Sequence, residues 1–365
     1  MLKHFQVPDD IAVRVKIENL AAATKSIFLK MGVPDADAAL ATDVLMQADL
    51  RGADTHGVSN MLRAYVASYG SGATNPTPNE QIVRETASTA VYDGDNGLGI
   101  ITTPHAMDIA IAKAKNTGVG MVTIKNSGHA GMMAYHALMA VKEGMIGTAY
   151  TAGGNSMVPT WGAEPKLGTN PIAFAAPTGT EEPFSFDAAT TSIAGNKIGL
   201  ANRLGHGLQP GWVANDDGSP DMEGEASSDF SAGGVRMQLP MGSTRELGSH
   251  KGYSLGVMVD IMCGPLSGAA GFGAATKERR AHFVAAYDVE AFVPLDEFKA
   301  DMDGMMKGLR ETKPAPGHDR VVYAGMIETE TEAERREIGV PLHPEVVDWF
   351  EGITSELDIA FNLRD

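Results

Sequence analysis

The sequence predicts an α/β or α+β chain, with a helical unit leading into a sheet-and-helix region. Three observations predict it. Forty-two glycines and only 6% aromatics in 365 residues favour a loop-rich mixed fold over a helical bundle. Apolar residues recur at helical spacing over roughly the first 70 residues. From about residue 89 to 151 the texture changes to β-α-β-α-β.

The elements follow in order. Residues 14–32 (RVKIENLAAATKSIFLKMG) carry the helical spacing, and Gly32 reads as a stop. Residues 35–52 repeat the pattern, with Asp35 able to cap the start and Gly52 the end. A third helix is expected to begin near His56. Residues 71–88 read as a polar linker or hairpin. TAVYDGD then reads as strand and turn, PHAMDIAIAKAKNTG as helix, VGMVTIKNSG as strand, HAGMMAYHALMAVKEG as helix and MIGTAYT as strand. The next stretch, through Ser192, is too rich in glycine and proline for an ordinary helix or strand. Residues 205–235 are a long polar excursion, expected to be irregular and exposed. KGYSLGVMVDIMCGPLSGAAG reads as a buried helix ending in a glycine-rich loop, AHFVAAYDV as a strand and VPLDEFKADMDGMMKGLRET as an amphipathic helix. The charged run ETETEAERREIG is most simply a solvated helical face. A short helix, HPEVVDWFEGITSEL, closes the chain.

The formal net charge is −17. So acidic a surface argues against nucleic acid and anionic membranes as partners, while a local cationic pocket can still receive an anionic substrate. The lone cysteine, Cys263, rules out an internal disulfide, and its apolar setting reads as a buried thiol. MLKHFQVPDD lacks the apolar core of a signal peptide, and no run of about 18 apolar residues could span a bilayer. A cytoplasmic protein is expected.

Four constellations carry chemistry. ADTHGVSNMLR sets His56 behind Asp54 and Thr55, with Asn60 at i+4 and Arg63 at i+7, so that one helical face can hold all three. NSGHAG sets His129 on a strand-to-helix turn, where a helix N-terminus lowers an imidazole pKa. LGTNPIAFAAPTG and FDAATTS offer Thr169, Asn170, Thr190, Thr191 and Ser192 to a polar ligand, with Asp187 able to accept from a ligand amide or to orient a histidine. SHKGYSLG sets Lys251 before an apolar helix, where it can meet a phosphate or carboxylate. Each also has a structural explanation: a satisfied histidine, turn chemistry, a surface lysine. DGDNGLGI spaces its glycines as G-x-x-G-x-G, not G-x-G-x-x-G, so a tightly packed turn explains it better than a dinucleotide loop. No zinc or other metal pattern is present.

Together, DTHGVSNMLRAY, DGDNGLG, KNSGHAG, EGMIGTAYT, PTWGAEPKLGTNPIAFAAPTG, FDAATTS, HKGYSLG and GVPLHPEV resemble the malate/L-lactate dehydrogenase family of the non-Rossmann type. That family includes sulfolactate, ureidoglycolate, diketogulonate and piperideine-carboxylate enzymes. The resemblance runs from about residue 15 to 350. It implies a non-Rossmann NAD(P)-binding sheet domain and a helical domain formed by the N- and C-terminal parts. The expected division is 1–88, 89–290, and a segment 291–365 packing back on the helices. It also implies a homodimer that uses NAD or NADP to interconvert a small 2-oxo acid and its 2-hydroxy acid. Reduction of a cyclic imino acid, or a catalytically silent ligand-binding relative, stand as alternatives. By the resemblance, His56 and His129 match the acid/base positions, with Asp187 beside them, and Phe186, Asp187, Ala188, Ala189 and Thr190 match nicotinamide contacts. His250, Lys251 and the Gly325 loop match further cofactor contacts. Asn60, Arg63, Thr169 and Asn170 are the expected substrate contacts. Two departures stand out: Asn60 replaces an arginine that binds the substrate carboxylate, leaving Arg63 to stand in for it, and Ala324-Gly325-Met326 replaces proline-glycine-glutamate.

Overall fold

The computed structural model describes residues 5–226, 237–269 and 280–364. Residues 227–235 of the expected excursion, and the end of the glycine-rich loop at 270–271, lie outside these ranges.

The N-terminal helices are α1 (Ile17–Lys30), α2 (Asp35–Leu50) and α3 (Val58–Gly70). They bury one continuous core, including Leu20, Phe28, Leu45 and Leu62. The chain's far end completes that core. Strand β1 (Val13–Val15), expected as helix, pairs antiparallel with β9 (Val340–Leu342). Helix α10 (Pro344–Glu356) contributes Val347 and Phe350, both fully buried. His343 caps α10 by accepting from Glu345 N–H, and Pro344 stands at the first position, where no amide is needed.

The second core is built on a seven-stranded sheet ordered β2-β3-β4-β8-β5-β6-β7. Its strands are β2 (Gln81–Glu85), β3 (Thr89–Gly97), β4 (Val119–Ser127), β5 (Met145–Ala152), β6 (Ile172–Ala176), β7 (Phe184–Ala188) and β8 (Arg280–Asp288). Among the described residues of this sheet only β3 and β4 run parallel, and its other pairings are antiparallel. The chain thus does not form the all-parallel sheet of a doubly wound nucleotide fold. Helices α4 (Gly99–Thr117) and α5 (Met133–Lys142) cover one face. Two glycines let them lie very close: a Cβ at Gly120 would fall 1.8 Å from the Ala110 carbonyl oxygen, and one at Gly147 2.1 Å from that of Ala137. Helix α7 (Ser249–Cys263) covers the other face, burying Val259 and Cys263 against Phe283 and Ala285.

Strands β6 and β7 form where the glycine and proline density predicted irregular chain, and the short helix α6 (Gly195–Arg203) follows them. The described part of the excursion, 205–226, holds no helix, and Asp221 ties it together by accepting from four amides, Glu223 through Ala226. The acidic helix α8 (Leu295–Arg310) and the charged helix α9 (Met326–Ile338) lie largely at the surface. Among the described residues no helix is long and apolar enough to cross a membrane.

Candidate active site

His56 lies in the turn between α2 and α3, not on a helix. Its amide donates to Ala53 O at 2.8 Å. Gly57 is required here, since a Cβ would stand 2.1 Å from Asp49 Oδ1. Asp49, wholly buried on α2, caps α3 by accepting from Val58 N–H at 2.6 Å and from the Ser59 hydroxyl. Burial and the neighbouring Asp54 push the Asp49 carboxyl up to about 8. Arg335, from α9, binds both Asp54 and the Asp49 carbonyl. Asn60 and Asn196 each donate to Thr55 O at 3.0 Å. The Thr55 hydroxyl lies 2.9 Å from His56 Nδ1.

His129 follows β4 in a loop squeezed against the start of α4. A Cβ at Gly99 would come within 2.4 Å of Gly128 O. Gly131 N–H donates to His129 Nδ1 at 3.2 Å, and the Tyr65 hydroxyl donates to the same atom at 2.7 Å. An amide can only donate, so Nδ1 is unprotonated and the ring's proton sits on Nε2. The two imidazoles stack, with centroids 5.6 Å apart. Burial, Lys197 and Arg280 hold His56 down at about 4, and burial, Arg280 and His56 itself hold His129 well below its usual value. Both rings are neutral at pH 7.

Two adjoining clefts meet at His56. The larger, 780 Å³, is lined by His56, His129, Asn60, Tyr65, Thr169 and Arg280, among others. The smaller, 420 Å³, shares His56, Thr169 and Ala194 with it and runs past Asp187, Ala188 and Lys197. Asp187 Oδ2 accepts from Ala134 N–H at 2.8 Å and so caps α5; burial raises its carboxyl to about 6. It bonds neither histidine.

Several expected contacts lie elsewhere. Because α3 begins only at Val58, His56 is off the helix and the i+7 relation to Arg63 does not hold. Arg63 instead pairs with Glu345 at 3.0 Å and lies over the Trp349 ring, away from both clefts. Asn170 is buried and donates to Gly256 O on α7. Thr190 donates its hydroxyl to Thr169 O, and Phe186 pairs with Phe174 in the β6–β7 ladder. None of these lines either cleft. His250 and Lys251 form the first turn of α7, next to a third hollow of 540 Å³ lined by Arg245 and Ser249. Gly325 packs on β7, where Ala324 O accepts from Ser185 N–H, and carries Glu328 to the smaller cleft. Tyr65 stands near the position of a tyrosine in the family the sequence resembles, whereas nothing in the sequence reading pointed to Lys197 or Arg280. The one available signal was an arginine immediately before the strand AHFVAAYDV.

The chain matches the family described as malate/L-lactate dehydrogenase over residues 15–351. It is 37% identical to the malate dehydrogenase of Pyrococcus horikoshii, over 96% of this chain and 97% of that one. It is 32% identical to the L-sulfolactate dehydrogenase of Methanocaldococcus jannaschii, over 96% and 98% of the two chains. Its fold superposes on the crystal structure of malate dehydrogenase from Entamoeba histolytica with a TM-score of 0.91, at 34% identity, covering 96% of this chain and 99% of that one.

Proposed function

The chain belongs to the malate/L-lactate dehydrogenase family, and on that footing we propose that His56 is the acid/base of a nicotinamide-dependent oxidation of a small 2-hydroxy acid. It is an oxidoreductase acting on CH–OH groups. The observation that carries the residue assignment is the asymmetry of the two rings. The Thr55 hydroxyl can accept from His56 Nδ1–H, which leaves Nε2 with a lone pair for the substrate hydroxyl proton. His129 has Nδ1 occupied by Gly131 N–H, so its remaining polar atom, Nε2–H, can only donate. His56 takes the proton, and His129 holds the oxygen from which it leaves.

Dehydrogenases of this family use nicotinamide cofactors. The residues of the smaller cleft fit such a ring. Ala188, Ala189 and Ala194 leave a flat wall, Lys197 and Asp187 supply polar edges, and the cleft opens onto His56. When bound there, the nicotinamide supplies the hydride acceptor. This chain's part is to orient the hydroxyl, to keep the base neutral and to exclude water from the pair. His56 lies at the seam of the two clefts, which is where proton and hydride must part.

A second copy of the chain is the expected partner. Helix α7 and the turn after it leave Met258, Ile261 and Leu266 exposed, a patch that pairing of two chains would cover. Sedimentation should give a dimer.

The test of the activity is a panel of malate, lactate, sulfolactate and a cyclic imino acid, each with NAD and NADP, followed by nicotinamide absorbance. Turnover of a 2-hydroxy acid that is lost in His56→Ala supports the reading. Turnover that survives His56→Ala at the wild-type rate overturns the assignment.

A further inference from the structure

We propose that Arg280, the first residue of β8, binds the carboxylate of the substrate, in the place left without a cation by Asn60 and by the diversion of Arg63 to Glu345. The inference rests on the 2-hydroxy acid reading above and names the group that recognises the acid.

The larger cleft holds Arg280 together with His56, His129 and Asn60. Three features build it into that position. Along β8, side chains alternate, so Arg280, His282 and Val284 share the face turned to α4 and α5. His282 pins the start of this strand: its Nε2 donates to Gly128 O at 3.1 Å, and its Nδ1 lies 2.6 Å from the Thr151 hydroxyl. Gly128 directly precedes His129, so one buried imidazole fixes Arg280 and His129 relative to each other. Finally, the arginine stem runs over Gly153, where a Cβ would approach its Cγ to 2.8 Å. The glycine leaves the channel through which the side chain reaches the cleft.

The chemistry suits the position. A guanidinium binds a carboxylate through two parallel N–H donors, which fixes the acid's orientation as well as its place. Asn60 cannot do this, because its amide is spent on Thr55 O. Arg280 also acts on the histidines through its charge. The charged and titratable groups bearing on His56 are Lys197, Arg280 and His129; those bearing on His129 are Arg280, His56, His282 and Tyr65. A carboxylate bound to Arg280 offsets its positive charge and lets His56 rise toward its ordinary basicity. The base thus strengthens as the acid arrives.

The experiment compares the full-length chain with Arg280→Met, Arg280→Lys and Gly153→Ala, using the 2-hydroxy acid turned over in the panel and its carboxamide. Cofactor binding and melting temperature show that each variant is folded. Arg280→Met should raise KM for the acid by about 30-fold or more, with little change for the carboxamide. Arg280→Lys should recover part of this, and Gly153→Ala, which displaces the stem, should share the loss. Oxamate, titrated calorimetrically with reduced cofactor present, should bind the wild type and lose at least about tenfold in affinity in Arg280→Met. Turnover by Arg280→Met with KM within threefold of wild type, or equal losses for acid and carboxamide, overturns the proposal alone. A wild type inactive on every 2-hydroxy acid overturns the parent reading, and this inference with it.

Discussion

The rings of His56 and His129 lie 14° from parallel at a centroid separation of 5.6 Å, and His56 adds to the burial and the Arg280 charge that hold His129 low. One imidazole comes from the turn before α3, the other from the turn after β4. The pair therefore exists only while the helical core and the sheet are held together. Four expectations follow from its construction.

His56→Ala should lower kcat by about 10²- to 10⁴-fold, the usual worth of a positioned proton acceptor. His129→Ala should cost less in kcat. The double variant should be no slower than the product of the two singles, because the residues act on one oxygen. Steady-state kinetics at saturating cofactor measure all three.

The pH dependence of kcat/KM for hydroxy-acid oxidation should be flat from neutrality down to about pH 5 and fall as pH drops through about 4. The base must be neutral, and burial with two nearby cations keeps it so in the free enzyme. Removing the Arg280 charge should move this acid limb to higher pH. Profiles of kcat/KM for wild type and Arg280→Met check both statements.

Stability should fall in acid for the same reason. His56, His136 and His282 are held down to about 4, 4 and 3 by burial. A depressed histidine contributes its full stability above the unfolded value of 6.5 and loses it as pH falls through the folded value. For His56 alone this is about 3 kcal/mol. Melting temperature should therefore decline steadily from pH 7 to 4, and less steeply in His136→Phe.

Arg335→Met should destabilise the chain by about 3–5 kcal/mol, because it strands the Asp54 carboxylate beside Asp49 in a buried site. Asp54→Asn in the same background should recover part of the loss. Chemical denaturation measures both. Tyr65→Phe, which leaves Gly131 N–H on His129 Nδ1, should cost only about 1 kcal/mol and a few-fold in kcat.

The helices α1 and α8 were legible because each carries its own 3.6-residue period, and α2 and α4 because apolar runs of helical length end at Gly52 and Gly118. His56 and His129 were legible because each stands beside a glycine, Gly57 and Gly128, at an expected turn into a helix. The rest depended on distant chain. Strand β8 enters the sheet between β4 and β5, two strands that precede it by more than a hundred residues, and no local pattern announces that insertion. Arg280 reaches the cleft only through that insertion. Strands β6 and β7 were hidden by the glycines and prolines that flank them. The i+7 relation of Arg63 to His56 fails because His56 lies in the turn two residues before α3 begins, where the helical period does not apply.

The β1–β9 ladder has a consequence for how the protein is made. Both histidines leave the ribosome before half of the chain is synthesised. The core beneath His56 nevertheless lacks its closing strand and Phe350 until residues 340–356 emerge. Until then the part of α1, α2 and α3 that Val340, Leu342, Val347 and Phe350 cover stays open, an apolar surface of the kind chaperones recognise. Assembly of the histidine pair is then a post-translational event, and a premature stop ahead of α10 removes it without touching either residue.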